Sequence, residues 1–204
     1  MRISAGNLKG RKINFREAQT AAAKQDALRP TSSKVRESVF NIIGNLIVDA
    51  KFIDLYAGTG AVGIEALSRG ANAVFFVEAN RKRTEQIEKM LKDCGYLSSA
   101  DIIRGEASAF IAKAVKEGLK FDIIFLDPPY HSGELEHILP QLSDGDLLND
   151  KGIIIAEHLS KKKLPDEIGN FIQKKAYKYG DTMLTLYRKK QWKKLRYIPE
   201  PLTL

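Results

Sequence analysis

The sequence predicts an α/β protein with a mostly parallel sheet, helices on both faces and a final strand running the opposite way. Three observations carry this. From residue 51 onward, short apolar runs alternate with amphipathic stretches, the pattern of strands joined by crossover helices. The runs at 121–126 and 152–156 are apolar at nearly every position, as strands buried on both faces are. Residues 171–178 and 182–188 flank Tyr179-Gly180-Asp181, a hairpin signal that ends the sheet antiparallel.

The elements follow in order. Residues 1–15 alternate loosely around Gly6-Asn7 and Lys9-Gly10 and read as one or two short strands. Residues 16–28 are polar and Ala-rich without periodicity, as a linker is. After Arg29-Pro30-Thr31 a helix starts, with Val35, Val39, Ile42, Ile43 and Leu46 on one face. Strands are expected at 52–56, 73–77, 100–104, 121–126 and 152–157. Helices are expected at about 61–69, 80–93, 106–117 and 133–142, with a further one at 165–170. The organisation is therefore a basic hairpin and linker (1–28), an α/β domain (29–190) and a basic tail (191–204) that holds Trp192 and Tyr197.

The net charge of +8 hides a pattern. Residues 1–40 carry +6, residues 41–159 carry −6 and residues 160–204 carry +8. Basic ends around an acidic middle suit a phosphate backbone, or simply a solvated surface. No run of about 18 apolar residues occurs, so no membrane-spanning helix is expected, and the N-terminus lacks the apolar stretch of a signal peptide. Cys94 is the only cysteine, which excludes an internal disulfide and fits a cytoplasmic location. His137 and His158 lack metal-ligand spacing, so no metal is expected. His131 reads as an exposed loop residue.

Two loops carry the chemistry. Asp54-Leu55-Tyr56-Ala57-Gly58-Thr59-Gly60-Ala61-Val62-Gly63 lies where the first strand of the repeat turns into a helix. Gly58, Gly60 and Gly63 match GxGxxG, which allows a tight turn and close approach of a cofactor. Glu78 ends the next strand, at the separation of a carboxylate that binds ribose hydroxyls. Asp54 decides between adenosine cofactors. NAD would bring an anionic pyrophosphate beside that carboxylate, whereas S-adenosylmethionine brings an ammonium and a sulfonium.

The second loop, Asp127-Pro128-Pro129-Tyr130, directly follows strand 121–126. Two prolines end a central strand and make a rigid loop at the carboxyl edge of the sheet. An exocyclic amine on a base is a poor nucleophile because its lone pair is delocalised. The Asp127 carboxylate and the Pro128 carbonyl can each accept one N–H, aligning the nitrogen. Tyr130 can stack on a base withdrawn from its helix, a role that needs the ring and not the hydroxyl.

These residues resemble the bacterial 16S ribosomal RNA guanine-N2 methyltransferases of the RsmD type, which have a Rossmann-like class I methyltransferase fold. The similarity covers essentially residues 1–188. It rests on Arg2-Ile3 with Gly6, Lys9-Gly10-Arg11-Lys12, Arg29-Pro30-Thr31 and Val35-Arg36-Glu37 with Phe40-Asn41. The residues 54–60, Glu78, Asp127-Pro128-Pro129-Tyr130 and Tyr179-Gly180-Asp181-Thr182 continue it. The resemblance implies a seven-stranded sheet and methylation of one guanine of the 16S RNA, free or in an assembling small subunit. It implies S-adenosylmethionine as cofactor, held by Asp54, Tyr56, Gly58, Thr59, Gly60, Glu78, Glu106 and Asp127. Glu106 departs from the family, where Asp is usual beside the adenine. Asp127, Pro128 and Tyr130 are the expected catalytic group. Arg2, Lys9, Arg11, Lys12, Arg29 and Arg36 are expected to meet RNA, although Arg36 equally suits a salt bridge. The same loops also fit methylation of adenine N6 in DNA or of a glutamine amide. An NAD-dependent oxidoreductase would leave the Asp-Pro-Pro-Tyr loop without a role. A non-catalytic RNA-binding module would leave the glycine loop without one.

Overall fold

The computed structural model describes residues 2–13, 33–130 and 132–190. The linker, Arg29-Pro30-Thr31, His131 and the tail lie outside the described residues. Five strands alternate with helices, as the periodicity predicts. They are β1 (Lys51–Asp54), β2 (Ala73–Glu78), β3 (Ala100–Arg104), β4 (Phe121–Leu126) and β5 (Leu148–Leu159). The helices are α1 (Ser33–Ile43), α2 (Ala61–Ser68), α3 (Arg81–Cys94), α4 (Ala107–Lys116) and α5 (Glu134–Asp144). Strands β6 (Glu167–Ile168), β7 (Phe171–Tyr179) and β8 (Thr182–Lys189) complete one sheet in the order β3-β2-β1-β4-β5-β8-β7-β6. β1 to β5 are parallel; β8 runs antiparallel to β5, between it and β7.

Alternate residues of the central strands feed two cores. Phe52, Ile123, Phe125, Ile153 and Ile155 face α1, α2 and α3, together with Val39, Ile64 and Ile87. Ile53, Ile124, Leu126, Ile154 and Ala156 face α4 and α5, together with Phe110, Ile111, Ile138 and Leu142. Apolar side chains on both faces account for the unbroken apolar runs. Among the described residues no helix is long and apolar enough to cross a membrane.

Three expectations need correction. Residues 165–170 form no helix. Glu167 and Ile168 pair with Ile172 and Phe171 across Gly169-Asn170, a two-residue turn with hairpin chemistry, and this adds an eighth strand. Leu46 is not on the buried face of α1; the chain tightens into a 3-10 turn at Gly44–Ile47, so the helical period breaks and Leu46 is exposed. Among the described N-terminal residues, 2–13, there is a single antiparallel bridge, Arg2 with Lys12, rather than strands.

Candidate active site

The chain leaves β1 towards β2 on one side, while β4 lies on the other. A crevice opens at such a reversal, at the carboxyl ends of the strands. Into it run the ends of β1 (Asp54, Tyr56), β2 (Glu78), β3 (Glu106), β4 (Asp127, Pro128, Tyr130) and β5 (Glu157).

The glycine loop is shaped by its own backbone and by Glu78. Gly60 caps α2 in a left-handed conformation (φ 75°), which a side chain rarely adopts. A Cβ on Gly63 would lie 2.2 Å from the Phe76 ring, so the third glycine lets α2 pack on β2. Gly58 N–H donates to Glu78 Oε2 at 2.8 Å, and Asn80 N–H donates to Glu78 Oε1 at 2.8 Å. Arg83 lies 3.7 Å from that same oxygen. Glu78 is thus the brace of the loop, with lone pairs left for a further donor. Tyr56 donates its hydroxyl to Glu134 Oε2 at 2.8 Å. Burial first, then that bond and the Glu134 and Glu106 charges, raise its pKa above the ordinary value. Glu106 sits exposed ahead of α4. Thr59 lies half-buried at the turn.

Acidic groups dominate this crevice. Asp54 is fully buried and its Oδ1 has no hydrogen-bond partner. Burial first, then the charge of Asp127, push its pKa up to about 8, against the N–H groups of Tyr56 and Gly63. The β4–β5 ladder pairs Leu126 with Ala156, so Asp127 and Glu157 follow side by side at its end. Glu157 is buried, accepts the Tyr130 hydroxyl at 3.1 Å and leaves Oε2 without a partner. Burial and then Asp127 push its pKa up to about 8 as well. Such a cleft favours a cation and N–H donors, and it disfavours a pyrophosphate.

A stability effect follows. An unfolded aspartate ionises near pH ~4, whereas folded Asp54 holds its proton to about 8. Its favourable contribution is complete below ~4 and is lost as pH rises towards the folded value. Asp54→Asn should therefore raise the melting temperature of the ligand-free protein at pH 8, with the gap closing towards pH 5. A melting temperature that falls at pH 8 would show that the buried carboxylate is not the burden described.

Glu157 was missed in the sequence, though it shares a strand-end position with Asp54, Glu78 and Asp127. Arg36 must be reassigned. It is 3% exposed, with its Nε on Glu65 Oε2 at 3.2 Å and Nη2 on the Arg2 carbonyl at 3.0 Å. Its charge is spent beneath the N-terminal arm, so it faces no phosphate. Arg2, Lys9, Arg11 and Lys12 are exposed on that arm, and Arg11 also donates to the Asp93 carbonyl.

The sheet order and the acidic crevice define a Rossmann-like methyltransferase fold. The chain belongs to the RsmD-type methyltransferase family, whose profile, described as conserved hypothetical protein 95, matches residues 1–188. It is 32% identical to Escherichia coli ribosomal RNA small subunit methyltransferase D, over 93% of this chain and 90% of that one. It is 34% identical to Bacillus subtilis YlbH, over 93% of this chain and the whole of that one. The solved structure of Escherichia coli yhhF superposes with a TM-score of 0.79 at 30% identity, covering 93% of this chain and 98% of that one.

Proposed function

We propose that this protein transfers a methyl group from S-adenosylmethionine to the exocyclic N2 of one guanine in 16S ribosomal RNA. The work would take place in the cytoplasm, on RNA in an assembling small subunit. The observation that carries the reading is the meeting of Asp127 and Tyr130 with the buried, half-satisfied Asp54 at one crevice. The names of the Escherichia coli and Bacillus subtilis relatives, both ribosomal RNA methyltransferases, support the substrate class.

The residues fit the cofactor. Asp54 offers an unpaired carboxylate oxygen to a cationic group, and Glu78 has acceptor capacity for ribose hydroxyls beyond its two backbone bonds. Gly58 and Gly60 keep the loop surface free of side chains, while Tyr56, Thr59 and Glu106 line its flanks. Bound there, S-adenosylmethionine supplies an electrophilic methyl group. Asp127 and the Pro128 carbonyl accept the two N–H bonds of the target amine and orient its lone pair. The Asp127 charge favours the positive nitrogen that develops during transfer, and its carboxylate is placed to take the proton that leaves. Tyr130 presents its ring for stacking. Labelled methyl transfer to hypomethylated small subunits, naked 16S RNA and duplex DNA tests this, with the modified nucleoside identified by mass spectrometry. Recovery of N6-methyladenine or of methylated protein in place of N2-methylguanine would overturn it.

The arm gives a second test. If Arg2, Lys9, Arg11 and Lys12 each neutralise one phosphate, the log–log salt slope of RNA binding should carry about 2.8 from them, at about 0.7 per single-strand contact. Lys9→Gln with Lys12→Gln should then reduce the slope by about 1.4 and leave cofactor affinity unchanged. An unaltered slope removes these lysines from the interface. Arg29, by its place in the sequence, is proposed to join them.

A further inference from the structure

Glu157 is an unusual residue to find where it is. It ends the apolar run 152–156 of β5 and is 3% exposed. A buried carboxylate beside two others costs stability, and an apolar or amide side chain would avoid that. Its surroundings suggest what retains it. From β4 comes the Asp-Pro-Pro-Tyr loop, with the Asp127 charge and the Tyr130 hydroxyl. From β1 comes the Asp54 charge. From β8 come Leu184, its ladder partner, and Thr182, whose Oγ1 lies 3.4 Å from the Tyr130 hydroxyl. Among the described residues, the charged groups that act on Glu157 are Asp127 and Asp54, both acidic. Three strands therefore converge on one phenolic oxygen.

The Tyr130 ring turns about two side-chain torsions on a loop whose start is stiffened by Pro128 and Pro129. The hydroxyl lies on the axis about which the ring spins, so its bond to Glu157 at the far tip holds the ring's position. We propose that Glu157 is a positioning residue for methyl transfer: by accepting the Tyr130 hydroxyl it fixes the ring against which the target base stacks and, through the loop, the carboxylate of Asp127. Thr182, at the start of β8, supplies the second contact to that hydroxyl. This revises the expectation that the Tyr130 hydroxyl is dispensable. The inference rests on the cleft being the site of base methylation.

The chemistry of the acceptor makes the idea testable. Burial and then Asp127 raise the Glu157 pKa, and the acceptor it presents to the tyrosine is the carboxyl oxygen Oε1. Glutamine presents the same acceptor, and leucine presents none. Single-turnover methyl transfer to hypomethylated small subunits, at saturating cofactor, would be compared for wild type, Glu157→Gln, Glu157→Leu, Tyr130→Phe and the Glu157→Leu/Tyr130→Phe pair. Affinity for the demethylated cofactor would be measured by calorimetry. Glu157→Gln should remain within about threefold of wild type. Glu157→Leu and Tyr130→Phe should each lose roughly 10–100-fold, the scale of a reactant displaced by about 1 Å. The pair should be no slower than the slower single variant, because both remove one bond. Cofactor affinity should stay within about threefold throughout.

Multiplicative losses in the pair, a Tyr130→Phe enzyme at the wild-type rate, or a cofactor affinity that collapses with Glu157→Leu would each overturn the proposal. If Glu157→Leu yields no folded protein, Glu157→Gln in the Tyr130→Phe background carries the test, and any added loss there counts against it. A wild-type enzyme that methylates no RNA sinks the functional reading itself. Normal wild-type transfer without this pattern sinks only the role of Glu157.

Discussion

Asp127→Ala should slow single-turnover methyl transfer by about 10²–10³, the usual effect of deleting one oriented interaction that strengthens as charge develops. The reason lies in the target. An exocyclic amine reacts only when its lone pair is turned out of conjugation towards the methyl donor, and in the proposed mechanism Asp127 holds one of its two N–H bonds. Asp127→Asn keeps an acceptor oxygen but loses the charge-assisted bond and can present its NH₂ instead. It should fall between alanine and wild type. Cofactor affinity must be measured separately, because Asp127 is close enough to influence Asp54. Near wild-type transfer by Asp127→Ala would mean that this loop does not hold the amine.

Glu65→Ala should be the most damaging change outside the crevice. Glu65 is completely buried in α2. It accepts the Arg36 Nε at 3.2 Å and the Arg69 Nη2 at 3.0 Å. It also accepts the Ser4 N–H at 3.2 Å, and the Ser4 hydroxyl. Arg69 in turn donates to Ser4 Oγ at 2.9 Å and lies over the Phe40 ring. Removing the carboxylate leaves the Arg36 guanidinium buried without its counter-charge, which typically costs about 3–5 kcal/mol. For a chain of this size that is a fall in melting temperature of roughly 6–20 °C. The neighbouring contact is equally tight. A Cβ on Gly6 would lie 1.7 Å from the Ser68 carbonyl oxygen, and Asn7 N–H donates to that oxygen at 2.8 Å. Replacing the ion pair as a unit, Glu65→Met with Arg36→Leu, should recover much of the stability. RNA affinity should still drop, because Ser4 and the Arg2 carbonyl lose their Glu65 and Arg36 anchors and the arm is held against α2 only through its bonds to Ser68. A loss below about 1 kcal/mol for Glu65→Ala would show that water reaches this network.

The two predictions mark different degrees of legibility. Asp127 was legible as a candidate, since a carboxylate and two prolines after an apolar strand make a rigid loop at the carboxyl edge of the sheet. Glu65 stood in Ala61–Ser68, where its only signal was one acid in an otherwise apolar helix. Such a residue needs a buried partner, but the sequence does not say which. Arg36 was read with its neighbour Glu37, whereas its partner lies 29 positions away. Tyr130 was read for its ring, while its hydroxyl was committed to Glu157, 27 positions on.

By itself the sequence determined the strand–helix alternation, the reversed hairpin at the end, the glycine loop and the Asp-Pro-Pro-Tyr loop. These depend on periodicity and on the backbone limits of glycine and proline, which act over a few residues. The tertiary structure alone decided which carboxylates share a site and which are spent on structure. That choice rests on register: Leu126 against Ala156 brings Asp127 beside Glu157, and Leu159 against Thr182 brings β8 to the same hydroxyl. It rests as well on the docking of the N-terminal arm on α2, which turns Glu65 and Arg36 inward. Periodicity within one segment cannot encode the partner of a charge in another, because a buried carboxylate is satisfied by whatever group the fold carries to it.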